Sequence, residues 1–86
     1  MSQKEKLIKR FFSIPNDFTY EEFVVVLKIY GFESIQKGKT AGSRVSFYNQ
    51  AHNKKIEFHK PHPSNIIKKY VLKNVIEILK EMEVLQ

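Results

Sequence analysis

The chain has 86 residues, enough for one domain with a small core. Its apolar fraction of 42%, with seven phenylalanines and four tyrosines, excludes disorder as a description of the whole, and the absence of cysteine excludes disulfides and thiolate metal sites. A formal charge of +6 and a pI near 9.6 favour a polyanionic partner, nucleic acid or an acidic protein, though solubility alone would account for the same excess. No apolar run approaches the ~20 residues of a membrane span, and the N-terminus lacks the apolar core of a signal peptide. A soluble cytoplasmic protein with no membrane contact is the simplest expectation.

In chain order, Ser2 to Ser13 reads as a short amphipathic helix, with Leu7, Ile8, Phe11 and Phe12 on one stripe and Pro15 and Asn16 ending it. The next start is better marked. Thr19 is an N-cap with Glu22 three residues on, as in a capping box, and Phe18 and Phe23 flank it as a hydrophobic staple. That helix turns Phe23, Val26, Leu27 and Tyr30 inward and ends at Gly31 as its C′ residue. Three consecutive valines are poor helix formers, but caps and periodicity outweigh them.

From Phe32 the pattern shortens and alternates. Glu33 to Lys37 reads as a first strand with Ile35 inward. A basic turn follows to Gly42. Ser43 to Tyr48 and Lys54 to His59 read as strands joined by a polar turn, and Pro61 and Pro63 stop the last. A closing helix from about Lys69 to Glu83 carries Val71, Leu72, Val75, Ile78, Leu79 and Met82 on its apolar face. The expectation is an α+β fold in which a three-stranded antiparallel sheet packs on helices. Helix, three strands, helix is also the order of the double-stranded-RNA-binding fold, here with an extra N-terminal helix. A single domain over 1–86 is expected, with 1–14 as the added helix and 18–83 as the core.

The pleat constrains the register. Val45 and Phe47 must share the core face with Ile56 and Phe58, which pairs Val45 with Phe58 and Phe47 with Ile56. The same register sets Arg44 opposite His59 and Ser46 opposite Glu57 on the other face. Arg44 suits a phosphate with its planar, permanently charged fork, and His59 can move a proton near neutrality. Lys37, Lys39 and Lys60 add positive charge around them, and Ser43 suits a phosphate as a hydrogen-bond donor. RNA cleavage needs a base, an acid and a cation for the phosphorane, which histidine and arginine supply without a metal. Equally, a histidine at a strand end is often a surface residue or a cap. His62 lies between two prolines, in either a shaped site or a tight turn. His52 belongs to the hairpin turn, and with no carboxylate cluster near the three histidines no metal site and no cofactor is expected. Lys68, Lys69 and Lys73 form either a backbone-binding stripe or a solvated helix face. Tyr48 and Tyr70 suit base stacking, Tyr70 equally a place in the core.

Several of these segments together resemble the HicA-type toxins of bacterial toxin–antitoxin pairs. They are Asp17-Phe18-Thr19-Tyr20-Glu21-Glu22 leading into a helix that ends at Tyr30-Gly31-Phe32-Glu33, the Gly42-Ser43-Arg44-Val45 strand entry, the His59-Lys60-Pro61-His62-Pro63 segment and the closing amphipathic helix. The resemblance spans about Lys6 to Leu85 and is nearest to the branch with an added N-terminal helix. It implies a small fold like the double-stranded-RNA-binding domain, metal-independent cleavage of mRNA, and inhibition by a tightly bound antitoxin of the HicB type. In better-known members a histidine follows the Gly-Ser pair and is catalytic. Arg44 stands there in this chain, so the expected imidazole moves to His59 across the hairpin or to His62. Catalytic His59 and His62, with Lys37, Lys39, Ser43, Arg44, Lys60, Lys68 and Lys69 on RNA, is the first reading. A non-catalytic RNA-binding or antitoxin-binding domain of the same fold is the alternative.

Overall fold

A carboxylate and a hydroxyl, three residues apart, start the first helix of the core. In the computed structural model, which describes residues 3–35, 44–61 and 63–82, the Thr19 N–H donates to Glu22 Oε1 at 2.9 Å. The Glu22 N–H donates back to Thr19 Oγ1 at 3.2 Å, closing the capping box that the sequence predicts. The helix behind it, α2 (Tyr20–Ile29), buries Phe23, Val26 and Leu27 and leaves Tyr30 half-buried. Gly31 follows with φ +89°, a conformation open to glycine, and a Cβ there would meet Asn49 Nδ2 at 3.0 Å.

The preceding helix, α1 (Gln3–Phe12), is tied to this start. Its Arg10 donates to Asp17 Oδ1 at 2.9 Å, to the Asp17 carbonyl at 3.0 Å and to Glu22 Oε1 at 3.2 Å, and its guanidinium stands 5.3 Å from the centre of the Phe18 ring. Phe11 is fully buried and lies 5.8 Å from Phe18 and 6.3 Å from Phe23, centroid to centroid. The two staple residues are thus bridged by a third ring, from α1.

Three strands follow, β1 (Glu33–Ser34), β2 (Arg44–Asn49) and β3 (Lys54–His59), in the antiparallel order β1-β2-β3. The β2–β3 register is the expected one, with Val45 opposite Phe58, Phe47 opposite Ile56, Ser46 opposite Glu57 and Arg44 opposite His59. At β1 the expectation needs correction. Ser34 pairs with Phe47 and the Ile35 N–H donates to the Ser46 carbonyl, so Ser34, itself exposed, shares the face of Phe47, and Ile35 falls on the other face, half-buried. The sequence places Ile35 inward because it is the apolar residue of the segment, but the pairing frame is set by Phe47 in the neighbouring strand.

Helix α3 (Lys69–Glu81) closes the fold with Leu72, Val75, Ile76 and Leu79 buried, and Met82 buried just beyond it. The result is an α+β fold with three helices and a three-stranded antiparallel sheet, consistent with the double-stranded-RNA-binding arrangement. Asn49, the buried polar residue, donates to the Tyr30 carbonyl at 2.8 Å and accepts from the His52 N–H at 2.9 Å, joining the end of α2 to the hairpin turn. No helix among the described residues is long and apolar enough to cross a membrane.

Two measurements probe this scaffold. Phe11→Ala should lower the unfolding free energy by about 3–5 kcal/mol in urea titrations, because it leaves a ring-sized cavity where α1 meets α2. The second concerns Glu22. Burial pushes its carboxyl up, but the Thr19 N–H, Arg10 and the Thr19 hydroxyl bring it below its ordinary value of 4.5 overall. A carboxyl lowered by folding binds fewer protons in the native state, so its stabilisation is present above pH 4.5 and is lost as the pH falls through the folded value. Urea midpoints should therefore fall less steeply below that pH for Glu22→Gln than for the unsubstituted protein.

Candidate functional site

The outer face of the β2–β3 hairpin follows from what the inner face buries. With Phe47, Ile56 and Phe58 inside, the alternate positions Arg44, Ser46, Lys55, Glu57 and His59 point away from the core. Arg44 and His59 are directly opposed at the open end of the hairpin, and both are exposed. Opposed positions of this kind hold their Cβ atoms about 4.5–5.5 Å apart, close enough for both side chains to reach one phosphate.

Glu57 sits one step inward. It accepts from Ser46 Oγ at 3.0 Å and pairs with Lys55 Nζ at 3.2 Å. The Lys55 and Ser46 hydrogen bonds, with the charges of Lys55 and Arg44, hold its carboxyl below the ordinary range. Glu57 is therefore an acceptor at neutral pH, already held by the cations an incoming phosphate would seek.

Two clefts meet at His59. One, of about 570 Å³, runs between β3 and α3 and is lined by Arg44, Lys55, Glu57, His59, Tyr70 and Asn74, with Val71 and Ile78 among its apolar residues. The other, of about 400 Å³, is lined by His59, Lys60, Pro61, Ser64, Lys68 and Tyr70. His59 and Tyr70 belong to both. Tyr70 is 61% exposed, so of the two places open to it in the sequence the core is excluded.

The segment below the second cleft is held by main-chain bonds to the start of α2. Tyr20 N–H donates to the Asn65 carbonyl at 2.9 Å, Ile67 N–H to the Phe18 carbonyl at 2.7 Å, and the Asn65 side-chain amide to Glu21. Thr19 and Ile66 form an isolated antiparallel bridge, and Ile67 is buried. Sequence reasoning missed this attachment. Its signal was the apolar pair Ile66-Ile67 between two polar runs, too short to show a period.

The other predicted positions divide. Lys60 lines the second cleft, but its ammonium stands 5.0 Å from the centre of the Tyr20 ring. Lys68 is the N-cap of α3 without a side-chain hydrogen bond, and the first turn of α3 carries no acidic residue. At α2, by contrast, Glu21 and Glu22 occupy that turn. The first turn of α3 thus leaves its N–H dipole open to an anion from outside. Lys69 and Lys73 are exposed and line neither cleft. Tyr48 turns its hydroxyl to Asn53 Oδ1 at 2.6 Å, toward the hairpin turn. Lys37, Lys39, Ser43 and His62 lie outside the described residues. His52 is in the turn at one end of β3 and His59 ends the strand at the other, so the hairpin holds these two histidines apart. Among the described residues no three His, Asp or Glu side chains gather as a metal site would require.

A family model described as the HicA toxin of bacterial toxin–antitoxin systems matches residues 20–84, from the first residue of α2 to beyond α3. The chain belongs to that family. It is accordingly a toxin of a toxin–antitoxin pair, and the family implies a cognate antitoxin. Helix α1 precedes the matched stretch. Neither the curated proteins nor the solved structures compared with the chain include a significant match.

Proposed function

We propose that this toxin binds RNA across the open end of its β2–β3 hairpin and cleaves mRNA by acid–base chemistry that needs no metal. The observation that carries the reading is the Arg44–His59 pair, opposed across the hairpin, exposed, and set where two clefts meet. Arg44 grips a phosphate through its guanidinium and stabilises the charge that builds on the phosphorane. His59 takes the 2′-OH proton or returns one to the leaving oxygen. Lys55 and Lys68 line the path of the backbone, and the uncapped, acid-free start of α3 adds a positive end. An antitoxin of the HicB type silences the toxin by covering this face.

A second reading has one specific observation in its favour. Arginine stands after Gly42-Ser43, where the resemblance to better-known members expects a catalytic histidine. On that reading the hairpin end grips RNA, or the antitoxin alone, without cleaving.

The two are separated by incubating end-labelled RNA in excess EDTA with the unsubstituted protein and with Arg44→Ala, His59→Ala and His62→Ala. Cleavage should persist in EDTA and fall by about 10²–10⁴ in His59→Ala. Cleavage at the normal rate by folded His59→Ala would remove His59 from the chemistry and turn attention to His62. Intact RNA in every lane, with binding retained, would establish the second reading. Glu57 supplies a further test. Its carboxylate competes with phosphate for Lys55 and Arg44, so Glu57→Gln should bind RNA several-fold more tightly at low salt in filter-binding titrations. It should also show a steeper salt dependence, because more counterions are released.

A further inference from the structure

We propose that Tyr70 is a base-stacking platform, holding one unpaired RNA base on its ring while the adjoining phosphates run past Arg44, Lys55 and Lys68. This inference rests on the RNA reading above and adds a residue that selects the form of the RNA. Tyr70 is the second residue of α3, and its neighbours Val71 and Leu72 turn toward the core while Tyr70 itself stays 61% exposed. Two other tyrosines have their rings or hydroxyls engaged: Tyr20 lies under Lys60 and near Phe58, and Tyr48 donates to Asn53. A third, Tyr30, packs half-buried against the core. Tyr70 has no aromatic, cationic or hydrogen-bonding partner among the described residues.

Its position gives that free ring a use. Tyr70 lines both clefts, each of which also contains His59. The basic residues lining the clefts are Arg44, Lys55, Lys60 and Lys68, against Glu57 and Glu77, and Glu57 is already paired with Lys55. A flat, exposed ring beside a basic track matches a nucleotide strand, which offers a π-face next to each phosphate. In a duplex those faces are covered by neighbouring base pairs, so the ring can be used only where a base is unstacked. Tyr70 therefore favours single-stranded RNA over duplex, despite a fold of the duplex-binding type.

The test measures binding by the unsubstituted protein, Tyr70→Phe and Tyr70→Ala at low salt. The probes are a short 2′-O-methyl oligoadenylate, which carries no 2′-OH to react, an abasic strand of the same length, and a 2′-O-methyl duplex. Tyr70→Ala should weaken oligoadenylate binding roughly tenfold, within the range of one aromatic–base stack, and leave the abasic strand and duplex unchanged. Tyr70→Phe should bind like the unsubstituted protein, and that protein should itself prefer oligoadenylate to the abasic strand. Equal losses on all three probes would overturn the proposal, as would unchanged oligoadenylate affinity in Tyr70→Ala, which would leave Tyr70 to a protein-contact surface. Failure of the unsubstituted protein to bind any probe would instead overturn the RNA reading itself, and this inference with it.

Discussion

Phe58 has to be inside, and the geometry of the hairpin follows from that. Its ring lies 5.0 Å from Phe23, 6.2 Å from Tyr20 and 6.0 Å from Phe47, stacked nearly parallel on the last. Burying a side chain of this size stabilises the fold by about 1.5–3 kcal/mol. The pleat then leaves no choice for the next residue. With Phe58 inward, His59 points outward, and the pairing of Val45 with Phe58 brings Arg44 beside it. A slip of one residue would turn Glu57 and His59 into the core and expose both Ile56 and Phe58. Moving the Glu57 carboxylate out of water would cost several kcal/mol. The register is thus defended from both faces, and the Arg44–His59 juxtaposition depends on an aromatic core on the far side of the sheet.

The start of α2 is the second organising point. Arg10 holds α1 to Asp17 and Glu22, the Thr19–Glu22 box closes the helix end, and the main chain at Phe18 and Tyr20 is bonded to Asn65 and Ile67. The positive helix end has unsatisfied N–H groups, and the Tyr20 N–H finds the Asn65 carbonyl, while Arg10 is drawn by the Asp17 and Glu22 carboxylates and the Phe18 carbonyl accepts from Ile67. Glu21 and Glu22 answer that character from within. The corresponding end of α3 lacks acidic residues and a side-chain cap, so its positive character is left to the surface beside the second cleft.

The charge of +6 is a property of the whole chain, but its local effect depends on pairing. Arg10 and Lys54 are engaged by carboxylates as parts of the scaffold, and Lys60 is drawn over Tyr20. On the outer face Glu57 offsets Lys55 and lowers the positive field around Arg44. The face is basic with a carboxylate at its centre. That arrangement weakens non-specific attraction and leaves more of the discrimination to groups that contact a ligand directly.

Much of the fold was legible in the sequence because its signals are local. The capping box needs only Thr19 and Glu22, the end of α2 needs only Gly31, and the β2–β3 register needs only that Val45, Phe47, Ile56 and Phe58 share a face. The short-range signals fail where a partner from elsewhere sets the outcome. Ile35 takes its phase from β2, Asn49 is buried because it serves both the Tyr30 carbonyl and the His52 N–H, and Ile67 is buried because Phe18 lies across from it. The candidate site divides in the same way. Alternation along two strands determined that Arg44 and His59 stand together on the outer face. Only the tertiary structure decided that α3 lies along β3 to form a cleft there, that Lys60 turns to Tyr20, and that Tyr70 stays at the rim, since the packing of a helix against a sheet edge depends on shape and contact that no short window of sequence contains.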